Sequence, residues 1–330
     1  MEGTHYPFPT LQILIDHSNQ AVGTPKARLI FIHGFSDHIN AYGILFPTLA
    51  TLGISTYGFD QRGWGRSVHS PSEKGNSGPT TLVLSDITSF IKSVLASSSP
   101  DDDDGKNPPL FLMGHSMGGA EVLCYIAQGP SDVVSQIRGF LLNAPFLAIH
   151  KDTKPSIITL LIGRFAGKIL PRRQMVFHLD EKLLSRDPQV QKNFVDDKLC
   201  HDTATLEGMA GNLDRAAALD NGKILIKEGR GEGGKTRVWV SHGTKDGVCD
   251  YKASERLYER MSDVKDKELK LYEGWYHKCK YLLWEMGQFM SILIRRIVHA
   301  EPSPDRETYA KDVADWILAR SADSIVRSKL

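Results

Sequence analysis

Residues 110–127 read LFLMGHSMGGAEVLCYIA. The apolar run at 110–113 stops at a glycine, as a buried strand does, and from Met117 onward the pattern is that of a helix. Between them stands Gly114-His115-Ser116-Met117-Gly118, a G-x-S-x-G pentapeptide. A serine on a tight strand-to-helix turn is held in a strained backbone conformation that exposes its hydroxyl, and flanking glycines leave room for such a turn. The pentapeptide alone is a weak signal. Its context, with a strand before it and the small residues Gly119 and Ala120 opening a helix after it, makes Ser116 a candidate nucleophile rather than a turn serine.

Working outward, similar strand-like runs recur at 28–34, 53–60, 137–145, 236–243 and 268–274, with an early one at 11–16. Helical patterns lie between them; Leu82, Ile87, Phe90, Ile91, Val94 and Leu95 carry one. This alternation predicts an α/β fold, a mostly parallel sheet flanked by helices. The tracts 97–109, with its four aspartates, and 228–235 read as solvated, flexible loops. The chain has 330 residues, 41% of them hydrophobic and 24% charged, which is ample for a core. A net charge of +1 offers no electrostatic reason to expect nucleic acid. Cys124, Cys200, Cys249 and Cys279 make no metal-ligand spacing. The first residues lack the basic and apolar regions of a signal peptide, so a cytoplasmic location is expected.

The alternation breaks from about Phe146 to Leu219, where helical patterns dominate. An insertion there suits a cap over the C-terminal edge of the sheet, where open α/β folds place ligands. Within it, PSIITLLIGRFAGKILPRR (155–173) combines apolar residues with Arg164, Lys168, Arg172 and Arg173. It reads equally as a cap helix packed on the core or as a surface that touches lipid.

A serine nucleophile needs a base, and the tetrahedral oxyanion needs donors. The Met117 backbone N–H is one candidate donor; the other is the Phe35 N–H, in the loop that follows the strand ending at His33-Gly34. His33 and His115 read as structural. In the chain order Ser, acid, His, Asp246 lies just past a strand end, whereas Asp250 reads as the N-cap of the helix that follows it. His277 follows the last predicted strand and is the expected base.

With IHGFSDH, YGFDQRGWGRS, GHSMGG, SHGTKDGVCD and EGWYHK in hand, the chain resembles the α/β-hydrolase superfamily, and most closely its fungal-type monoacylglycerol lipases. The resemblance implies one α/β-hydrolase domain over 1–330 with a cap or lid at 146–203, and a Ser116–Asp246–His277 triad with Phe35 and Met117 as oxyanion hole. It places Cys249 near the glycerol end of the pocket, either as a substrate-binding residue or as a partly buried thiol with no catalytic duty. Asp60 and its glycines are expected to anchor a turn beside the site. The implied reaction splits a monoacylglycerol into glycerol and fatty acid, with no cofactor or metal and with possible peripheral contact at a membrane or lipid droplet. Carboxylesterase and lysophospholipase activities are same-class alternatives; a hydrolase-fold ligand-binding protein is a different-class one.

Residues 279–298 are an atypical apolar insertion after His277 that the family pattern lacks. Glu285 and Gln288 interrupt it, which makes a poor membrane span. Two readings remain: an interfacial helix carrying Trp284, Phe289, Arg295 and Arg296, or a translated intron, since Cys279-Lys280-Tyr281 can be encoded around the splice donor GTAAGT. Val313, Trp316 and Ile317 are expected to form the buried face of the last helix.

Overall fold

A computed structural model describes residues 17–97, 107–277 and 304–322. The early strand expected at 11–16 and the insertion at 279–298 lie outside the described residues.

Among the described residues the central sheet has seven strands in the order β1-β3-β2-β4-β5-β8-β9. These are β1 (His17–Asn19), β2 (Ala27–Ile32), β3 (Ile54–Gly58), β4 (Leu110–His115), β5 (Ile137–Asn143), β8 (Arg237–Gly243) and β9 (Asp266–Tyr272). Among the described residues only β1 is antiparallel, pairing with β3; every other pairing in the sheet is parallel. The central strands β2, β4, β5 and β8 are buried along their whole length, which is why their sequences are continuous apolar runs rather than alternating ones.

Successive side chains on these strands feed two different core layers. Ile30, Leu112, Leu142 and Val240 pack in one layer under α2 (Thr80–Ala96), α3 (Met117–Gln128), α8 (Leu206–Asp220) and α9 (Tyr251–Arg260). Leu29, Phe111, Leu141 and Trp239 pack in the other, under α1 (Leu45–Thr51) and the C-terminal helix Pro304–Ser321. Val313, Trp316 and Ile317 are the buried face of that last helix, where the apolar spacing puts them.

Between β5 and α8 the chain forms α5 (Ile157–Ile169), the two-stranded antiparallel pair β6 (Gln174–Val176) and β7 (Thr203–Thr205), α6 (Glu181–Leu184) and α7 (Pro188–Asp196). This segment is tied to the body through the 71–75 loop: the Gln174 side-chain amide donates to the Pro71 and Lys74 carbonyls, and Thr205 N–H to Gly75 O. Among the described residues no helix is long and apolar enough to cross a membrane.

The 228–235 tract, expected to be flexible, is pinned by its charges. Glu228 accepts from the Thr236 and Lys265 N–H groups, Arg230 donates to the Ile126 and Gly129 carbonyls, and Glu232 pairs with Arg138. Its glycines predict a loop correctly, but hydrogen bonds to distant elements, which local composition does not show, decide its order.

Candidate active site

Four loops at the C-terminal ends of parallel strands meet at Ser116, those after β2, β4, β8 and β9. The β4–α3 turn carries the serine itself, with φ 54° and ψ −118°, a region that costs a non-glycine residue about 1–3 kcal/mol and persists only where its surroundings enforce it. Here Ser116 N–H donates to Asn143 O, while Ser116 O accepts from Phe146 and Ala120 N–H. Close packing adds to the constraint. A Cβ on Gly114 would stand 2.3 Å from Gly118 O, and one on Gly118 would stand 2.3 Å from Ile32 O. No side chain fits at either position, so the G-x-S-x-G glycines are demanded by backbone-to-backbone contact.

The loops after β8 and β9 are joined to each other: Thr244 N–H donates to Tyr272 O, Lys245 N–H to Trp275 O, and Gly274 N–H to the Thr244 hydroxyl. This pairing brings Asp246 beside His277. His277 Nδ1 stands 2.7 Å from Asp246 Oδ2 and Nε2 stands 2.9 Å from Ser116 Oγ. All three side chains are buried. Burial pushes the Asp246 carboxyl up, but electrostatic attraction to His277 and hydrogen bonds from His242 and His277 outweigh it, holding the group well below the usual carboxylate range. It is therefore an acceptor throughout the neutral range, and it keeps the His277 proton on Nδ1, leaving Nε2 to take one from Ser116. Asp250 instead caps α9, accepting from Lys252 N–H.

The loop after β2 approaches from the other side; a Cβ at Gly34 would meet Ser116 Cβ at 3.1 Å. The next residue is Phe35, and Met117 opens α3, so both candidate donors belong to segments that border Ser116.

A family model described as "Serine aminopeptidase, S33" matches residues 23–280. A Schizosaccharomyces pombe protein named "Putative monoglyceride lipase" is 30% identical over 302 residues, covering 91% of this chain and 69% of that protein. The chain belongs to the monoglyceride lipase family of α/β-hydrolases. The fold agrees. A soluble variant of Saccharomyces cerevisiae monoglyceride lipase, solved with a substrate analog, superposes with a TM-score of 0.76 at 24% identity, covering 97% of this chain and 98% of that one. The monoacylglycerol lipase of Paleococcus ferrophilus superposes with a TM-score of 0.67 at 26% identity, covering 92% of this chain and 98% of its own.

Family motifs account for some of the remaining polar residues. Asp60 accepts from Ile39 and Arg66 N–H and pairs with the Arg66 guanidinium, a turn anchor. His33 accepts from Gln61 N–H at Nε2 and bonds Gly34 O through Nδ1; burial lowers its pKa, so it stays neutral. His115 bonds the Tyr42 hydroxyl through Nδ1, 2.9 Å away. Cys249 is completely buried rather than partly so. Its N–H donates to Asp246 Oδ1, its thiol is hydrogen-bonded with Ser116, and burial pushes that thiol well above its usual range. A neutral thiol of this kind is no nucleophile.

Two residues escaped the sequence reading. His242 is wholly buried, with Nε2 at 2.9 Å from Asp246 Oδ2 and Nδ1 at 2.8 Å from the Ser254 hydroxyl, so the acid is flanked by two histidines. The histidine in SHGTKDG was the available signal. Glu121, on α3, is buried against Arg215 of α8 at 3.1 Å. Burial pushes the Glu121 carboxyl up to about 7, against the attraction of Arg215 and a hydrogen bond with Gln61. Between its unfolded value of about 4.3 and that raised value, the folded chain binds the proton more tightly than the unfolded one. The stability this proton supplies is present at low pH and is lost as pH rises across that window. In thermal melts, the Tm of the wild type is expected to fall between pH 5 and pH 7.5 relative to Glu121→Gln, whatever the variant's absolute Tm.

Among the described residues two groups bring metal-binding atoms within 4.8 Å of one another: Asp246, Cys249 and His277, and His38, Asp197 and Cys200. The first contains the Asp246–His277 pair that faces Ser116. In the second, His38 Nε2 and Asp197 Oδ2 stand 2.8 Å apart, a direct hydrogen bond. Two such ligands on a tetrahedral zinc, each about 2.0 Å from the ion, stand roughly 3.3 Å apart. The pair is at hydrogen-bond spacing, too close for two ligands of one such ion.

Proposed function

We propose that this chain hydrolyses the ester bond of monoacylglycerols to glycerol and fatty acid through an acyl-enzyme. The single observation that carries the reading is the Ser116–His277–Asp246 chain of hydrogen bonds at 2.9 and 2.7 Å. His277 Nε2 takes the Ser116 proton as Oγ attacks the ester carbonyl, and the Phe35 and Met117 N–H groups receive the oxyanion. The imidazolium then protonates the leaving glycerol oxygen. A water activated by the same His277 splits the acyl-serine and releases the fatty acid. Substrate class is supported by the relatives' activities as named. The test is a turnover profile on purified protein across monoacylglycerols, short p-nitrophenyl esters, lysophospholipids and an amino-acid p-nitroanilide. Monoacylglycerols are expected to have the highest kcat/KM; a higher value for any other class would replace this reading.

We also propose that the cap docks on lipid through α5. Ile158, Ile162, Phe165 and Ile169 recur at i, i+4, i+7 and i+11, which sets them on one helix face, and they are 60–66% exposed. Lys168, Arg172 and Arg173 are exposed close by. An outward apolar face beside basic residues supports contact with an anionic interface. Replacing Ile158, Ile162 and Phe165 together by serine is expected to weaken binding to anionic vesicles about tenfold or more, on the scale of the apolar area lost. Turnover of a soluble p-nitrophenyl ester should stay within about twofold; undiminished vesicle binding would remove the lipid-docking role.

A further inference from the structure

The geometry points to Asp202 as a positioning residue for the oxyanion hole, acting from the cap through Ser36. The inference rests on the reading of Phe35 N–H as an oxyanion donor.

Ser36 is fully buried and has φ 53°, a left-handed conformation that is sterically costly for any residue with a Cβ. Its hydroxyl is aimed out of the body and into the cap segment, donating to Asp202 Oδ1 at 2.9 Å. Asp202 is itself immobilised. Its other oxygen accepts from Leu179 N–H at 3.0 Å and bonds His178 Nδ1 at 3.1 Å, while its carbonyl accepts from Phe177 N–H at 2.7 Å.

On the other side of Phe35, Gly34 N–H donates to the Tyr42 hydroxyl at 3.2 Å, and that hydroxyl donates to Asp37. Phe35 is thus clamped between an anchor on the body, at Gly34, and an anchor on the cap, at Ser36. The same short cap turn grips the loop twice more. Asp197 bonds His38 Nε2 at 2.8 Å, and His201 stacks on Trp64 at 4.9 Å, whose ring meets Phe35 edge-on at 4.8 Å. Of these contacts, only the Asp202–Ser36 bond acts on a strained residue adjacent to the donor. Without it, Ser36 relaxes out of the left-handed region, and the torsions of Phe35 absorb the change. The aim of the Phe35 N–H then shifts at the position where charge develops.

Four variants test this: Asp202→Ala, Ser36→Ala, the double variant, and Ser36→Gly. Kinetics on a soluble p-nitrophenyl ester are paired with inhibition by a trifluoromethyl ketone, whose hemiketal oxyanion occupies the hole. Asp202→Ala and Ser36→Ala are each expected to lower kcat by about 10- to 100-fold, short of the full loss of a donor, with KM within about twofold. Ketone affinity should fall by the same factor as kcat/KM, and the double variant should be no worse than either single one. Ser36→Gly, which removes the strain along with the hydroxyl, should lose less than Ser36→Ala.

A folded Asp202→Ala variant with unchanged kcat, a loss confined to KM, undiminished ketone affinity or additive losses would each overturn the inference. If Asp202→Ala does not fold, the order of Ser36→Ala and Ser36→Gly decides it. Wild-type protein without Ser116-dependent ester turnover would instead count against the proposed function.

Discussion

Ser116→Ala is expected to lower kcat by roughly 10⁵- to 10⁶-fold while leaving the fold intact. The variant removes one oxygen from a side chain already buried in a turn that other contacts enforce. Asn143 O, Phe146 N–H and the close packing of Gly114 against Gly118 hold the backbone whether or not the hydroxyl is present. What disappears is the acceptor of the acyl group, 2.9 Å from the His277 Nε2 that should take its proton. Binding and the oxyanion donors remain, so a small residual rate over water is expected. Labelling by a fluorophosphonate should vanish with the activity, and the Tm should hold or rise slightly, because a serine desolvated for catalysis adds little to stability. Turnover near that of the wild type would end the nucleophile assignment.

Asp246→Asn is the second large effect, with an expected loss of about 10⁴-fold in kcat. Both oxygens of this acid are engaged. Its Oδ2 faces His277 Nδ1 and His242 Nε2, and its Oδ1 accepts from both Val248 and Cys249 N–H. Asparagine offers one oxygen and one NH₂, so either rotamer points donors at donors on one side. If the oxygen stays with the backbone, the amide drives His277 towards the tautomer with its proton on Nε2, which cannot serve Ser116. If it turns to the histidines, the half-buried Val248 N–H and the buried Cys249 N–H lose their acceptor, which costs about 1–3 kcal/mol for the buried one. The variant should therefore lose both activity and several degrees of Tm. The native acid also adds a pH signature. A carboxyl held below its unfolded value of about 4 contributes stability above that pH, and the contribution is lost as pH falls towards the folded value. Melts from pH 6 down to pH 3 should show a steeper loss for the wild type than for Asp246→Asn; equal slopes would contradict it.

The strands were legible because the central ones are buried on both faces and read as unbroken apolar runs; predicted and observed bounds differ by a residue or two, as at 236–243 against Arg237–Gly243. Ser116, Asp246 and His277 were legible for a related reason. Each follows a strand at the edge of the sheet where α/β folds concentrate their chemistry, and two of them sit in dense small-residue motifs. His242 was harder to assign. A histidine at a strand end can face either core layer, and only the fold aims it at Asp246. Asp202 and Asp197 gave no sign in the sequence, because their partners Ser36 and His38 lie some 160 residues away. The outward face of α5 was ambiguous for a third reason. Helical spacing shows that Ile158, Ile162 and Phe165 share a side, but not which side the protein turns to solvent.

By itself, then, the sequence determined the layers of the fold, the strand-to-helix turn at Ser116 and the placing of Ser116, Asp246 and His277, in that chain order, just past strand ends. These follow from local chemistry: side-chain period, glycine at close backbone approaches, and polar residues at strand ends. Tertiary structure alone decided which carboxylates bond Ser36 and His38 beside Phe35, which histidine shares Asp246 and which face of α5 lies bare. Each of those depends on the approach of segments far apart in the chain, and residue spacing carries no record of such an approach until the sheet is assembled.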